Sequence, residues 1–355
     1  MIQAYFQDAE PTQFFTGMFR APRENFYSSQ HVEYDIVRGG EEVAIAVQDL
    51  SAGHRNNATE IYTNKQLTAP IYKEAVAINS WDLLKRRPGN DPFEDPAFLA
   101  DATAQVFRGV RKIEQKIRRS IELQGSQILQ TGTSTLVDTN GDTIYSIDFK
   151  PKATHFVTAG TAWNAGGADI LGDILAMCGV VRQDGKVKPD QVLLGEDALE
   201  AFLLDADIQA RYDGRRLNRG DIRSSRFLGE GEIFHGTLDV GNYKLDIISY
   251  DGRFDAINGG ANTQYLTPAN AIIRASTARM DATFGNIPNL GQLLGANRNL
   301  MSTLPSRMSG RTSRVDLHLN TWLTSDGETL MAGVGARPLL IPTAIDTFGR
   351  IATGV

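Results

Sequence analysis

The residues that could do chemistry are few and scattered. The five histidines, His31, His54, His155, His235 and His318, include no pair at i, i+2 or i, i+4, the spacings that turn two imidazoles toward one metal or set a base beside its partner. Each reads as a lone packed or surface histidine. The one cysteine, Cys178, sits in the apolar run Leu175-Ala176-Met177-Cys178-Gly179-Val180, where a small buried thiol is the plain expectation. A single thiol also excludes a disulfide framework or a multi-cysteine metal site, and it suits a reducing cytoplasm. Gly185-Lys186 is followed by Val187 and lacks the preceding loop of a phosphate-binding GxxxxGK[ST]. Gly229-Glu230-Gly231-Glu232-Ile233-Phe234 fails the dinucleotide fingerprint at its last glycine, and its two acids would repel a pyrophosphate. No GxSxG elbow and no HExxH occurs. Asp205-Ala206-Asp207 and Asp251 lack the ligand density of a calcium loop. The expectation is no catalytic residues, no metal, no cofactor and no enzyme.

Charge is more informative. Between residues 108 and 122, Arg108, Arg111, Lys112, Lys116, Arg118 and Arg119 stand against Glu114 and Glu122, a net of +4. This is either an ordinary solvated face or a stripe facing a polyanion. Arg211, Arg215, Arg216, Arg219, Arg223 and Arg226 stand against Asp213 and Asp221, again +4, with Gly214 and Gly220 interleaved as in a mobile loop. Arginine pairs in a fork with carboxylates or phosphates. The whole chain carries −6, so −14 is left on the remainder. An arginine loop meeting a neighbour's acidic surface is the preferred reading, with phosphate contact the competitor.

The elements that must position these residues follow from 355 residues, 41% hydrophobic and 22% charged, a globular chain of roughly two domains. Met1-Ile2-Gln3-Ala4-Tyr5-Phe6 lacks the basic start and apolar stretch of a secretory leader, and no window approaches the roughly 18 apolar residues of a membrane span. The first 34 residues hold eight of the 29 aromatics without sustained periodicity, and Pro11 and Pro22 interrupt them. Such a segment must pack on the chain's own body or on a neighbour, unless it is an ordinary N-terminal strand with a short helix. Residues 41–78 read as a long two-stranded excursion with Val43, Ile45 and Val47 alternating and a tip near Gly53-His54-Arg55-Asn56-Asn57. An isolated ribbon is marginal in water, so it must lie on another surface. A charged, proline-punctuated loop then leads to Asp95 as cap and Pro96 as first helical residue. Leu99, Thr103, Val106, Val110, Ile113, Ile117 and Ile121 predict one helix over about 96–130, roughly 50 Å long, with Gly109 and Gly125 as bending points. Thr131–Asp142 reads as turn and Thr143–Phe149 and Thr154–Thr158 as strands; Ala165-Gly166-Gly167 leads into a second helix with Ile170, Leu171, Ile174, Leu175 and Val181 on its apolar side, and Glu196-Asp197 open another. The texture is α+β, with mainly antiparallel strands in irregular order.

Several stretches, taken in order, resemble a known family. Arg86-Arg87-Pro88-Gly89-Asn90-Asp91-Pro92-Phe93-Glu94-Asp95-Pro96 is similar to the lead into the spine helix of the major capsid proteins of tailed bacteriophages, more narrowly the lambda-type major head protein family with its Hong Kong 97-like fold. Ala198 to Arg216 resembles that family's helix and Asp-x-Arg-Arg turn, and Tyr265-Leu266-Thr267-Pro268-Ala269-Asn270 its short strand and turn. Thr321-Trp322-Leu323-Thr324-Ser325-Asp326-Gly327 and Ala336-Arg337-Pro338-Leu339-Leu340-Ile341-Pro342 resemble its closing strands.

The resemblance implies a shell subunit that assembles into hexamers and pentamers as an icosahedral capsid around double-stranded DNA. It implies an N-terminal arm (1–40), an extended loop (41–78), a peripheral domain (79–155 and 320–355) with the spine helix, and an axial domain (156–319). Subunit contacts are then expected at Arg55, Ile61, Tyr62, Lys65, Arg86, Arg87, Asp91, Arg211, Arg215 and Arg216, and a lumen-facing basic stripe at Arg108, Arg111, Lys112, Arg118 and Arg119. The lysine crosslinking of some members of the wider fold is not carried over to Lys65. Expected partners are further copies of the chain, decoration, scaffolding and portal proteins, and non-specific contact with packaged DNA, with no membrane. The expected location is the virion, after assembly in the host cytoplasm. An encapsulin-like compartment shell is the alternative within the fold; a cytoplasmic enzyme and a nucleic-acid-binding module are the alternatives outside it.

Overall fold

In the computed structural model the described residues are 13–22, 31–37, 62–79, 98–137, 140, 142–212, 226–229, 231–255, 262–287, 317–324 and 327–355. The first described elements are a single helical turn, α1 (Phe14–Gly17), and strand β1 (His31–Val37), followed by β2 (Tyr62–Thr68) and β3 (Tyr72–Asn79). The long helix α2 (Phe98–Thr131) comes next, then the hairpin β4 (Thr133–Val137) and β5 (Thr143–Asp148). Strand β6 (Phe156–Thr158), helix α3 (Ile170–Gly185), β7 (Gln191–Leu194), α4 (Glu196–Leu204) and α5 (Ala206–Tyr212) follow. Among the described residues the strands β8 (Arg226–Gly229), β9 (Glu232–Val240), β10 (Tyr243–Tyr250), β11 (Arg253–Asp255), β12 (Asn262–Gln264), β13 (Asn270–Arg274), β14 (Asp281–Phe284), β15 (His318–Leu323), β16 (Thr329–Ala336), β17 (Pro338–Ile341) and β18 (Phe348–Ala352) follow, with a 3-10 turn at Ile345–Thr347.

A seven-stranded mixed sheet, in the order β6-β18-β13-β7-β10-β9-β8, organises the molecule. Successive side chains on its central strands point to opposite faces, and both faces are apolar. Leu193, Ile248, Ile272 and Phe348 join one core, shared with the stripe Val106, Val110, Ile113, Ile117, Ile121, Ile128 and Leu129 of α2. Val192, Leu194, Ile247, Ala271, Ile273 and Ile351 join the other, beneath Ile174, Met177, Cys178 and Val181 of α3 and Phe202 of α4. This sandwich explains why β7 reads as a continuous apolar run rather than an alternating one.

The long helix meets the expected stripe, and it runs unbroken through both glycines. Gly109 and Gly125 are sites of close approach: a Cβ on Gly109 would lie 2.8 Å from Val76 Cγ2, and one on Gly125 3.0 Å from Phe15 Cβ. The helix ends at Gly132, whose φ of +70° is left-handed and whose missing Cβ makes room for the Pro151 ring.

Elsewhere the structure departs from the sequence reading. The paired ribbon is β1 with β2, His31 opposite Thr68 through Val37 opposite Tyr62, so its outgoing strand falls within 31–37, inside the span expected to be arm. The alternation at Val43–Val47 and the tip near Gly53–Asn57 lie outside the described residues. Tyr72–Asn79 leaves the ribbon and pairs with β16 in a three-stranded sheet, β15-β16-β3, because Ile78 and Val76 find apolar cover against α2 there. The expected turn region after α2 contains a strand, β4, pairing with β5; its Thr133 and Thr135 are β-branched and suit a strand once Gly132 has reversed the chain. Residues 153–155 form a 3-10 turn before β6. The last strand, β18, does not stay with β15 and β16 but crosses back to pair with β13 and β6.

Candidate functional site

The solvent face of α2 is built by the register that buries its apolar stripe. Arg108, Arg111 and Lys112 are exposed, and Arg118 and Arg119 are half-buried. Arg118 pairs with Glu114 one turn earlier at 3.4 Å, and Lys116 reaches Glu74 of β3 at 2.9 Å. Exposed pairs of this kind add at most about 1 kcal/mol. Glu122, counted with this face in the sequence reading, belongs to the core and is fully buried. With Glu122 withdrawn into the core, residues 108–119 carry six basic residues against Glu114 alone, a net of +5, four of the six exposed and Arg118 and Arg119 half-buried.

Burial pushes the Glu122 carboxyl above its ordinary value, opposed by hydrogen bonds from Thr16, Phe15 and Tyr250. Its Oε1 accepts from the Phe15 amide at 2.7 Å and from the Tyr250 hydroxyl at 3.2 Å. Its Oε2 accepts from the Thr16 amide at 2.8 Å and the Thr16 hydroxyl at 2.7 Å. About two turns further on, buried Gln130 donates to the Tyr265 carbonyl at 2.8 Å and accepts from the Thr267 amide and Asn270 Nδ2. Ser126 also donates to the Tyr265 carbonyl. The end of α2 thereby holds the loop that carries Tyr265–Asn270.

Among the described residues, large apolar side chains stand exposed in several places: Val137 and Ile144 (70%) on the β4–β5 hairpin, Ile71 before β3, Val157 on β6, and two adjacent pairs, Leu203 and Leu204 (68%) at the end of α4 and Trp322 and Leu323 (64%) on β15. The sequence marked the two pairs weakly, through a Leu-Leu pair that no single amphipathic stripe buries whole and through a tryptophan on a short strand. Glu122 carried no such mark, because its acid type matched the charged face beside it.

Of the expected contact residues, Tyr62 and Lys65 lie on β2, opposite Val37 and Tyr34, and Arg211 lies in α5. Arg55, Ile61, Arg86, Arg87, Asp91, Arg215 and Arg216 lie outside the described residues. Cys178 is buried, its thiol pushed up to about 12 by burial. Among the described residues no three or more His, Cys, Asp or Glu side chains come together as a metal site, and no helix is long and apolar enough to cross a membrane. His155 is a packed histidine, with Nδ1 at 2.7 Å from the Phe348 carbonyl and Nε2 at 3.1 Å from Asp184.

The family described as phage major capsid protein E matches residues 2–351, nearly the whole chain. The chain belongs to that family. Its fold is shared with the putative capsid protein of a prophage of E. coli CFT073, at 15% identity over 97% of this chain and 93% of that one, with a TM-score of 0.64. A structure from Gordonia phage Cozz aligns at 8% identity over 99% and 90% of the two chains, with a TM-score of 0.52. No curated protein matches the chain. This capsid protein has the Hong Kong 97-like architecture expected of tailed phages, with α2 as its spine. Membership in a capsid family makes it a virion component that assembles with its own kind into a shell, and it points to a structural rather than a catalytic role.

Proposed function

We propose that this major capsid protein closes into an icosahedral shell of hexamers and pentamers around packaged double-stranded DNA, and that it catalyses nothing. The extended loop, expected over 41–78, would take in the ribbon strand at 31–37 and end before Tyr72–Asn79, so the arm would fall short of the expected 1–40; the peripheral domain (79–155 with 320–355) would gain the Tyr72–Asn79 strand and give up Phe348–Ala352 to the axial domain (156–319). The observation that carries the shell reading is the exposure of Leu203–Leu204 and of Trp322–Leu323 at two separate places. A single isologous dimer covers one patch per subunit, whereas a lattice covers each subunit on several sides.

The net positive face of α2 supports a lumenal position, where it would lower repulsion toward DNA phosphates without reading sequence. Arg108, Arg111, Lys112, Arg118 and Arg119 would form this stripe. Tyr62, Lys65, Arg55 and Ile61 in the loop, Arg86, Arg87 and Asp91 before the spine, and Arg211, Arg215 and Arg216 in the axial loop would meet neighbouring subunits. Portal, scaffolding and decoration proteins are the expected further partners, with assembly in the host cytoplasm.

Electron microscopy of the expressed protein tests the reading directly: closed particles are expected, and a homogeneous small oligomer would refute it. Deleting residues 50–70 is expected to leave a folded subunit that forms no shells. Closed particles from that variant would reject the loop as an intersubunit clamp. Reversing Arg215 and Arg216 to Glu is expected to impair capsomer formation more than folding.

A further inference from the structure

The contacts of α1 are concentrated in a way that nothing about shell building requires. Three of the four hydrogen bonds to the buried Glu122 carboxylate come from two successive residues of the N-terminal segment, the Phe15 amide and the Thr16 amide and hydroxyl. These amides open the helical turn Phe14–Gly17, so a carboxylate from a different helix caps it. Around this point the fit is aromatic. Phe14 stacks on Tyr250 at 4.4 Å, and Phe15 meets the same ring edge-on at 5.3 Å. Gly125 leaves the space in which Phe15 lies, fully buried. Beyond the turn the backbone of Arg20 bridges to β14, its amide donating to the Met280 carbonyl and its carbonyl accepting from the Ala282 amide. All of these contacts fall within residues 14–20.

We propose that the cleft formed by Glu122, Gly125, Tyr250 and the edge of β14 is a peptide receptor, that the segment Gln13–Arg20 is its ligand, and that Glu122 is the latch deciding whether the arm lies on the body. The recognition element is a pair of consecutive amides plus a threonine hydroxyl read by one carboxylate, beside a two-phenylalanine step. Release would bare Phe14, Phe15 and Phe19 together with the socket they fill, apolar surface of the kind a second copy of the chain covers. That consequence rests on the shell reading; the latch itself does not.

The test uses the full-length unassembled chain, so that failure to form shells leaves it intact. Glu122→Gln replaces one acceptor oxygen by an amide nitrogen facing N–H donors. It is expected to speed hydrogen exchange of the peptide holding Phe15 and Thr16, and tryptic cleavage after Arg20, by about tenfold or more, because hydrogen bonds to a charged acceptor are lost. Exchange in β7 and β13 should stay at the wild-type rate. The double variant Phe14→Ala/Thr16→Ala makes the same test from the arm, where no body residue is altered, and is expected to give the same local acceleration. Wild-type exchange and cleavage in the double variant would overturn the proposal. So would an acceleration in Glu122→Gln that spreads equally to β7 and β13, since Glu122 would then hold the body and not the arm.

Discussion

Gly109 of α2 lies so close to Val76 of β3 that a Cβ on it would come within 2.8 Å of one Val76 methyl and 2.9 Å of the other. The contact ties the three-stranded sheet to the long helix at a distance only glycine permits. Alanine would gain about 1 kcal/mol of helix propensity, but forcing a methyl against a β-branched neighbour costs about 1–3 kcal/mol. Gly109→Ala is therefore expected to lower stability by about 1 kcal/mol. In a Val76→Ala background the same change should become stabilising. Chemical denaturation of the four proteins of this cycle measures the coupling; additive effects would mean that the helix and β3 stand further apart than described.

Gln130 offers a second check. Its side chain is buried and joins the Tyr265 carbonyl, the Thr267 amide and Asn270 to the end of α2. Gln130→Leu leaves the Thr267 amide and Asn270 Nδ2 without their acceptor, at a cost of about 1–3 kcal/mol for each that water cannot reach, while the Tyr265 carbonyl keeps Ser126. A loss of about 2–4 kcal/mol is expected, read as a fall in denaturation midpoint with an unchanged slope.

Acid should destabilise the subunit in two steps. His235 and His318 are held below the ordinary histidine value by burial. Their contribution is complete above about pH 6.5 and is lost as pH falls through the lowered values, since the folded chain resists charging them. The Asp184 carboxyl is held below its ordinary value, chiefly by the hydrogen bond from Lys152 at 2.6 Å and also by His155. Its contribution is present above about pH 4 and is lost as pH falls through the lowered value. Thermal midpoints between pH 3 and pH 8 should fall on acidification. His235→Gln is expected to shallow the upper step and Asp184→Asn the lower one.

The exposed leucines should matter to copies of the chain and not to the chain alone. Leu204→Asp lies on the surface, so subunit stability should stay within about 0.5 kcal/mol. Particle yield, read by sedimentation, should fall by an order of magnitude or more as a charge enters an apolar contact. Arg111→Glu with Lys112→Glu should likewise leave folding intact. It should weaken retention of packaged DNA, with a shallower dependence of binding on salt.

The long helix, the α+β texture, the helix after Ala165-Gly166-Gly167 and the absence of catalytic motifs were all legible along the chain, because each depends on local periodicity or on residue types at short spacing. The co-linear stretches from Arg86 to Pro342 carried the family as well. Other features were decided by contacts between residues far apart in sequence, to which periodicity is blind. Glu122 has the residue type of a surface acid, and only the arrival of Phe15 and Thr16, 107 and 106 residues away, makes it a buried one. Gly109 and Gly125 look like weak points in a helix until β3 and the arm are packed on them. Residues 72–79 continue the polar and apolar rhythm of the ribbon, yet they pair with β16 because the apolar face of α2 offers their Ile78 and Val76 cover that an isolated ribbon cannot.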